Sequence, residues 1–399
     1  MARLPISLVE ASPTGLVALA SDADFHIADR TGKVVASTAD GVASSAVHIG
    51  KHGTGAIRAA AFSRDGALFA ACTTEKAVTI YRTDDWSVVR THEAEKRTNA
   101  IAFDPSGAFL LTADKFGDVH RIPTAAPAPS AEVAMAEDGG AKAKTEPLLG
   151  HVSILCDVAV SYGPRPFVLT CDRDEKLRVS RYPNAYNIQA FGLGHKEFVT
   201  SVATAQFAPD IAVTGAGDGT VRLWDIASGR LLQTVELEGI LSKYYADGRA
   251  VCDKSTREDR TAGAERYGVL RVRAAEDLRQ FVVVVERIPV VVILPFSEGP
   301  GLDSARVVDI ASPPADVAVL GDRVIVAYAP AAPGPSDLVV VLSPSSSGSL
   351  AVDETLGGAL NALPTAEVDV VPQAPSIFVW GGKAYLDRPG NEDDGDGGD

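Results

Sequence analysis

The sequence has few residues of the kinds that mark disulfide-rich or metal-binding chains. Only 4 of its 399 residues are cysteine: Cys72, Cys156, Cys171 and Cys252. They form no CxxC pair and show no Cys/His spacing of the sort that zinc sites use. We therefore interpret them as reduced, buried thiols, and we expect no metal site.

Long apolar runs are also missing. The longest candidate is interrupted by Glu286 and Arg287, so no stretch reaches the roughly 20 apolar residues of a membrane span. The N-terminal residues MARLPISLVEASP lack the apolar run of a secretory signal peptide. We expect a soluble, intracellular protein without a membrane partner.

An excess of positive charge is absent as well. The chain has 37 Lys and Arg against 52 Asp and Glu, a net charge of −15. Because nucleic acids bind largely through phosphate neutralisation, such a chain is a poor candidate for holding RNA or DNA by itself. Composition further predicts two disordered segments, an Ala/Pro-rich insert at about 124–147 and an acidic tail at 389–399.

What the sequence does contain is a repeat. Five segments share an apolar strand, a small or acidic turn and a second strand, beginning at Leu16, Leu68, Phe109, Phe167 and Ile211. Matched residues of the second strand, Val78, Val119, Leu177 and Val221, lie 41, 58 and 44 positions apart. With an insert in the longest interval, the period is about 40 to 45, as expected for WD-type repeats of four strands per blade.

The rest of the chain fits the same plan. After a charged loop at about 253–266 come VLRVRA, QFVVVVERIPVVVILPF and ARVVDI, then ADVAVL, RVIVAYA and DLVVVLS. We assign these to a sixth and a seventh blade and expect a final strand near 376–385 to close the ring. The predicted fold is an all-β, seven-bladed WD-repeat β-propeller, a single domain over residues 1–388.

The fifth unit is the most regular of the repeats. Gly194-His195 opens it and Trp224-Asp225 closes it, 30 residues after the histidine. It resembles the WD-repeat family, in which a loop His, a strand Ser/Thr, a turn Asp and a strand Trp share hydrogen bonds within one blade. The residues that match this structural network are His195, Thr214, Asp218 and Trp224.

The fourth unit keeps part of the same network. It has His151 and Thr170, and Asp174 aligns with Asp218. Ser180 stands where the fifth unit has Trp224, so the network of the fourth unit is expected to be incomplete.

Catalytic motifs are misleading in this chain. Residues 215–219 read GAGDG, which in a cofactor-binding fold would be a glycine turn leading into a helix. Here a β-strand is predicted to follow, so we expect no cofactor. No nucleophile and base are singled out, so we predict no catalytic residue and treat a propeller enzyme as the lesser hypothesis.

The charged turn of the fourth unit is the most informative departure. Residues 170–180 read TCDRDEKLRVS where the fifth unit reads TGAGDGTVRLW. Arg173 and Glu175 replace glycines, which gives up backbone freedom, and Lys176 replaces threonine. The turn is either solvated and satisfied by its own neighbours or a mixed-sign docking patch. Asp174 and Arg178 each have both a structural and a docking interpretation.

Four strings then resemble a known family: LTADKFGDV at Leu111, LLGHVSILCDV at Leu148, CDRDEKLRVSRYPNAYNI at Cys171 and LGHKEFVTSV at Leu193. They are similar to the non-catalytic WD-repeat subunit of the eukaryotic tRNA (guanine-N7)-methyltransferase. The resemblance spans about residues 111–225 and is weaker elsewhere.

The resemblance implies a heterodimer with a catalytic methyltransferase subunit, which the propeller stabilises while helping to position tRNA for N7-methylation of a variable-loop guanine. It implies that tRNA is bound mainly through the complex and that the protein is nuclear, with the cytoplasm as a second location. The partner contacts would be Arg173, Asp174, Glu175, Lys176, Arg178 and, nearby, Lys115. We expect Lys176→Glu and Arg178→Glu to weaken the heterodimer and leave the propeller folded. The alternative is a generic interaction scaffold, as in ubiquitin ligase or chromatin assemblies, without a tRNA role.

Overall fold

A computed structural model describes residues 2–3, 6–39, 46–49, 55–125, 146–250, 267–297, 299–329, 337–345, 349–363 and 367–368. In it, seven sheets form a ring, and each consists of strands consecutive in sequence that pair antiparallel, apart from one short parallel strand in the first sheet. The first strands of the sheets line a central channel of about 540 Å³. The predicted seven-bladed, all-β propeller is confirmed.

The N-terminal half of the chain contributes a short strand and four blades. The short strand is β1 (Ala2–Arg3). Blade one contains β2 (Leu8–Ala11), β3 (Val17–Ser21), β4 (Asp24–Ala28), β5 (Val34–Ser37) and the parallel β6 (Val47–His48). Blade two contains β7 (Ile57–Phe62), β8 (Leu68–Thr73), β9 (Ala77–Arg82) and β10 (Val88–Glu93). Blade three contains β11 (Thr98–Phe103), β12 (Phe109–Asp114), β13 (Asp118–Pro123) and β14 (Leu149–Gly150). Blade four contains β15 (Leu155–Val160), β16 (Phe167–Asp172), β17 (Lys176–Arg181) and β18 (Ile188–Leu193).

The C-terminal half contributes three blades and two helices. Blade five contains β19 (Val199–Ala205), β20 (Ala208–Ala216), β21 (Thr220–Asp225) and β22 (Leu231–Glu236), followed by α1 (Glu238–Ala246). Blade six contains β23 (Val269–Ala275), β24 (Gln280–Val285), β25 (Val290–Pro295) and β26 (Arg306–Asp309). Blade seven contains β27 (Pro314–Leu320), β28 (Arg323–Tyr328), β29 (Val339–Pro344) and β30 (Leu350–Val352), followed by α2 (Glu354–Asn361) and β31 (Glu367–Val368).

The valine-rich strands of blade six show how the core is built. All six residues of β24 and the first five of β25 are buried. Alternate side chains pack against blade five and blade seven, because both faces of a propeller blade meet a neighbour. The near-continuous apolar runs assigned to blades six and seven are therefore confirmed as strands buried on both faces.

Ion pairs join blades six, seven and one across the channel wall. The Asp316 carboxylate accepts a hydrogen bond from the Val9 backbone N–H (3.1 Å) and from Arg271 Nε (3.1 Å). Arg273 Nη2 lies 3.1 Å from Glu10 Oε2. Burial raises the pKa of the Glu10 carboxyl, although the Arg273 guanidinium opposes the shift. The ring seam is thus closed by side chains as well as by contact between β2 and β27.

The two helices were not expected from the sequence. In α1, Leu241 and Tyr244 are buried against the core shared by blades five and six. In α2, the Asp353 side chain caps the first turn by accepting from the Thr355 and Leu356 backbone N–H groups. Within the described residues, neither helix is long and apolar enough to span a membrane.

Several predictions fall outside the described residues. They are most of the insert at 124–147, the charged loop at 253–266, the closing strand at 376–385 and the tail at 389–399. The assignment of residues 1–388 to a single domain stays a prediction. At the termini that are described, β1 pairs with β31, through Ala2 with Val368 and Arg3 with Glu367.

Candidate functional site

The fifth-blade network holds the loop before the blade to its strands. His195 Nε2 lies 2.7 Å from Thr214 Oγ1, and His195 Nδ1 lies 3.0 Å from Asp218 Oδ2. Trp224 Nε1 donates to Thr214 Oγ1 at 2.8 Å. Because the Asp218 carboxylate can only accept, the neutral imidazole carries its proton on Nδ1 and accepts from the Thr214 hydroxyl. All four residues singled out in the sequence are joined in one chain of hydrogen bonds.

The protonation states of His195 and Asp218 are set by burial and by hydrogen bonds. Burial alone would raise the pKa of Asp218, but hydrogen bonds from His195, the Lys196 backbone and Thr220 lower it to about 2. Burial is the main cause that lowers the pKa of His195, against the opposing pull of Asp218. The pair therefore favours a neutral imidazole beside a carboxylate.

In blade four the network contains a different aspartate from the one predicted. His151 Nδ1 lies 2.9 Å from Asp172 Oδ2, and His151 Nε2 lies 2.7 Å from Thr170 Oγ1. Asp172 Oδ1 also accepts from the Lys176 backbone N–H. Asp174 is exposed in the turn. Its interpretation as the structural turn aspartate is wrong, because the last residue of β16 already reaches both the histidine and the turn.

The sequence did contain a signal for Asp172. Asp114 ends β12 in the third unit at the same position, and its Oδ1 accepts from the backbone N–H groups of Phe116 and Asp118. The fifth unit has Ala216 at that position and carries its aspartate two residues later, at Asp218, so alignment with the fifth unit alone points to Asp174.

Arg178 is buried, with 7% of its surface exposed. Its Nη1 donates to the Gly150 carbonyl oxygen (2.7 Å), Nη2 to the Ala185 carbonyl oxygen (3.2 Å), and Nε to Ser180 Oγ (2.9 Å). Ser180 thus takes part in a different bond from the one that Trp224 makes in blade five. This burial changes the expectation that Arg178→Glu would leave the propeller undisturbed. A partner contact by Arg178 stays a prediction.

The charged turn proper, residues 173–176, is exposed throughout. Arg173 Nε lies 3.8 Å from Asp174 Oδ1, with 41% and 47% of these side chains exposed. Lys176 Nζ donates to the Asp174 carbonyl oxygen at 3.1 Å. Exposed pairs of this kind contribute about 0 to 1 kcal/mol, so the turn does not depend on them for its stability. Their charges are accessible to a partner.

Backbone strain does not distinguish this turn from others in the ring. Glu175 has φ 71°, close to the 75° of Gly219 at the matched position. A left-handed residue other than glycine costs roughly 1 to 2 kcal/mol. Yet turns between the second and third strands of other blades have Asp22, Lys76 and Arg287 in the same region, at φ 54°, 66° and 60°. A residue other than glycine is therefore common at this turn position, and only the charge and exposure of residues 173–176 favour docking.

Lys115 lies in the matching turn of blade three. It is half-buried, and its Nζ lies 5.4 Å from the centroid of the Phe116 ring, which Lys96 Nζ approaches to 4.4 Å. Phe116 itself is 51% exposed. A Cβ on Gly117 would meet the His151 carbonyl oxygen at 2.5 Å, so this turn packs on the loop that leads to blade four. Lys115 and the charged turn thus lie at the same end of the ring.

Three possible metal ligands also meet in blade three. Atoms of Asp114, Asp118 and His120 lie within 4.8 Å of one another, a proximity that the sequence spacing had not indicated. His120 Nε2 lies 3.7 Å from Asp114 Oδ2, and the hydrogen bond to Asp114 is the main cause that raises the pKa of His120. The arrangement is that of an imidazole paired with a turn carboxylate.

The glycine-rich segment 215–219 leads into strand β21, as predicted. A Cβ on Gly217 would lie 2.5 Å from the Phe198 ring, and one on Gly215 would lie 2.3 Å from Val269. These glycines are needed for close packing, and a strand has no helix N-terminus to bind a cofactor phosphate.

The middle of the chain, from blade three to blade seven, matches a known family. The family described as the tRNA methyltransferase TRM82 WD40 domain matches residues 128–340. The chain belongs to this family. The match extends over blades four to six and parts of blades three and seven, and thus includes the charged turn.

Relatives of this TRM82 WD40 family member carry consistent names. It is 38% identical over 188 residues to the tRNA (guanine-N(7)-)-methyltransferase non-catalytic subunit WDR4 of Mus musculus, covering 47% of this chain and 42% of the relative. It is 30% identical over 247 residues to the subunit TRM82 of Eremothecium gossypii, covering 60% and 52%. The chain thus spans about half the length of the curated relatives it matches.

Solved structures support the fold alone. The RRP9 WD40 repeats superpose with a TM-score of 0.60 at 16% identity, covering 82% of this chain and 87% of that one. The structure of U3-55K gives the same TM-score and identity, with 82% and 88% coverage. Both are WD40-type folds at identities too low to transfer function.

Proposed function

We propose that this chain is the non-catalytic subunit of a tRNA (guanine-N7)-methyltransferase heterodimer. The observation that carries the proposal is the family match, because it includes the exposed charged turn and because the relatives are named as non-catalytic subunits of that enzyme. The chain stabilises the catalytic subunit by binding its folded, active form.

The contacts proposed for the catalytic subunit are those of the charged turn, Arg173, Asp174, Glu175 and Lys176, with Lys115 nearby and Arg178 beneath. The four turn residues carry both signs of charge and are exposed. A mixed-sign surface fixes register and orientation, since a partner rotated out of place would bring like charges together. Arg178 contributes by holding β17, on which Lys176 lies, to β14 of blade three.

The test is co-expression of the full chain with a candidate catalytic subunit, followed by purification and an assay of N7-methylguanosine in tRNA. We expect a one-to-one complex and more methylation than the catalytic subunit gives alone. Neither complex nor added methylation would overturn the proposal, and a different stoichiometric partner recovered from cells would favour the generic scaffold.

A charge-reversal pair tests the turn. Lys176→Glu should weaken the complex by about 10-fold or more while the isolated chain keeps its Tm. Lys33→Glu, an exposed lysine on blade one, makes the same change in net charge and should leave affinity unchanged. Equal effects of the two variants would show that only overall charge matters.

We further propose that tRNA is held mainly by the complex and that the protein is nuclear. The net charge of −15 favours phosphate binding by the partner. In a mobility-shift assay the isolated chain should bind tRNA far more weakly than the heterodimer does. A fluorescent fusion located only in the cytoplasm would contradict nuclear residence.

A further inference from the structure

Exposed apolar side chains are concentrated on the outer rim of blade four. Within the described part of the chain, four of the nine exposed large hydrophobic residues lie in the eight positions from Tyr186 to Leu193. Tyr186 is 71% exposed, Ile188 47%, Phe191 41% and Leu193 62%. Clusters of this kind mark interaction surfaces more often than scattered apolar residues do.

Strand pairing places three of them on the same side of the sheet. Leu193 pairs with Lys176, Phe191 with Arg178 and Ile188 with Ser180. Gln189 forms a bulge and has no cross-strand partner, so Ile188 lies on the same side of the sheet as Phe191 and Leu193. We call Ile188, Phe191 and Leu193 the blade-four rim.

The opposite side of β17 and β18 packs against blade five. Leu177 and Val179 pack with Val199 and Trp224 in the core between blades four and five. A Cβ on Gly192 would lie 3.1 Å from Leu177 and Trp224. The rim therefore faces blade three, and its side chains are not needed for the contact with blade five.

Among the described residues, blade three covers this side at β17, where Arg178 bonds to Gly150, but leaves the rim residues of β18 exposed. Its outermost strand, β14, has two residues, Leu149 and Gly150, whereas β18 has six. β18 is also the edge strand of its sheet. An edge strand that carries exposed apolar side chains is a liability unless another surface covers it.

We infer that the blade-four rim is the apolar centre of the surface on which the catalytic methyltransferase subunit docks, and that the charged turn forms its polar edge. This inference rests on the proposed function. Lys176 is the direct cross-strand neighbour of Leu193, so the rim and the charged turn are one continuous surface. An apolar centre with a charged edge is the usual anatomy of a protein interface, and it suits a protein better than the phosphates of RNA.

The experiment measures binding of the purified catalytic subunit to the full chain by titration calorimetry. Phe191→Ser and Leu193→Ser should each raise the Kd by about 10-fold or more, since buried apolar anchors at interface centres dominate affinity. The control is Val352→Ser, because Val352 is 51% exposed on the outermost strand of blade seven. It should bind as the unmodified chain does.

Thermal unfolding of each isolated variant separates docking from folding. Leu193 is the more exposed of the two positions, so its variant should melt with the unmodified chain even if Phe191→Ser does not. Unchanged affinity in both rim variants overturns the inference and leaves the proposed function standing. No binding by the unmodified chain overturns both.

Other occupants give different outcomes. If Leu193→Ser abolishes self-association in sedimentation and leaves the heterodimer intact, the rim binds a second copy. If it abolishes tRNA binding by the isolated chain and leaves the heterodimer intact, the rim binds RNA. If deleting residues 126–145 raises affinity for the catalytic subunit while Leu193→Ser has no effect on it, the chain covers its own rim. Each of these results overturns the inference.

Discussion

Arg178 Nη1 donates a hydrogen bond to the carbonyl oxygen of Gly150, at 2.7 Å, and so joins the third strand of blade four to the outermost strand of blade three. A residue that the sequence left open to both a structural and a docking role is therefore held inside the protein. A loss of complex on its mutation would not by itself identify a partner contact.

The first prediction separates these roles. Arg178→Leu should lower the free energy of unfolding of the isolated chain by about 2 to 3 kcal/mol, because it leaves the buried Ala185 carbonyl oxygen and Ser180 hydroxyl without this donor. Chemical denaturation followed by circular dichroism measures this. The control is Arg165→Leu, an exposed arginine of the same blade, with an expected change within about 0.5 kcal/mol. Equal stability of the two variants would mean that the Arg178 hydrogen bonds contribute nothing.

The second prediction concerns the two aspartates of the fourth unit. Asp172→Ala should destabilise the isolated chain by about 1 to 3 kcal/mol, since it removes the carboxylate that His151 and the Lys176 backbone share. Asp174→Ala should change stability by no more than about 0.5 kcal/mol, because its side chain is exposed. Denaturation midpoints of both variants give the comparison, and the reverse order would restore Asp174 as the structural residue.

The blades were predictable because their signal is local. A strand, a tight turn and a second strand recur within about 45 residues, and the apolar run in β24 and β25 marks a blade buried on both faces. The fifth-blade network was predictable for a similar reason, since His195 and Trp224 stand at the spacing of a common repeat. These features depend on short segments that can be aligned with one another.

What could not be predicted depends on contacts between distant segments. The exposure of Phe191 and Leu193 follows from the shortness of β14, which lies more than 30 residues earlier in the chain. The partner of His151 was misassigned because the aspartate stands at different positions in the two blades. In blade four it is Asp172, the last residue of β16, whereas in blade five it is Asp218, two residues beyond the end of β20. α1 was missed because its buried residues Leu241 and Tyr244 pack on strands of blades five and six.

The third prediction is a pH dependence. The pKa of His195 in the folded chain lies below its unfolded value, so the unfolded state takes up the proton first and stability falls as pH drops through about 6.5. The pKa of Asp218 is lowered to about 2, so its contribution is present above about pH 4 and is lost as pH falls towards 2.

The unfolding free energy of the unmodified chain should therefore decrease from pH 7 to pH 5 more than that of His195→Gln, whose side chain does not titrate. Denaturant titrations at both pH values measure the two decreases. Identical decreases would show that His195 is protonated equally in the folded and unfolded states.

The fourth prediction concerns thiol reactivity. Cys72, Cys156 and Cys171 are free and buried, and burial raises the pKa of all three, that of Cys72 to about 11. At pH 8 a thiol of that pKa is only about 0.1% thiolate, the form that reacts with iodoacetamide. A Cys252→Ser variant, which removes the cysteine outside the described residues, should stay unlabelled while folded and gain three labels in guanidinium, as counted by mass spectrometry. Rapid labelling of the folded variant at any of the three would mean that its blade opens, because a thiol packed between two sheets cannot meet the reagent otherwise.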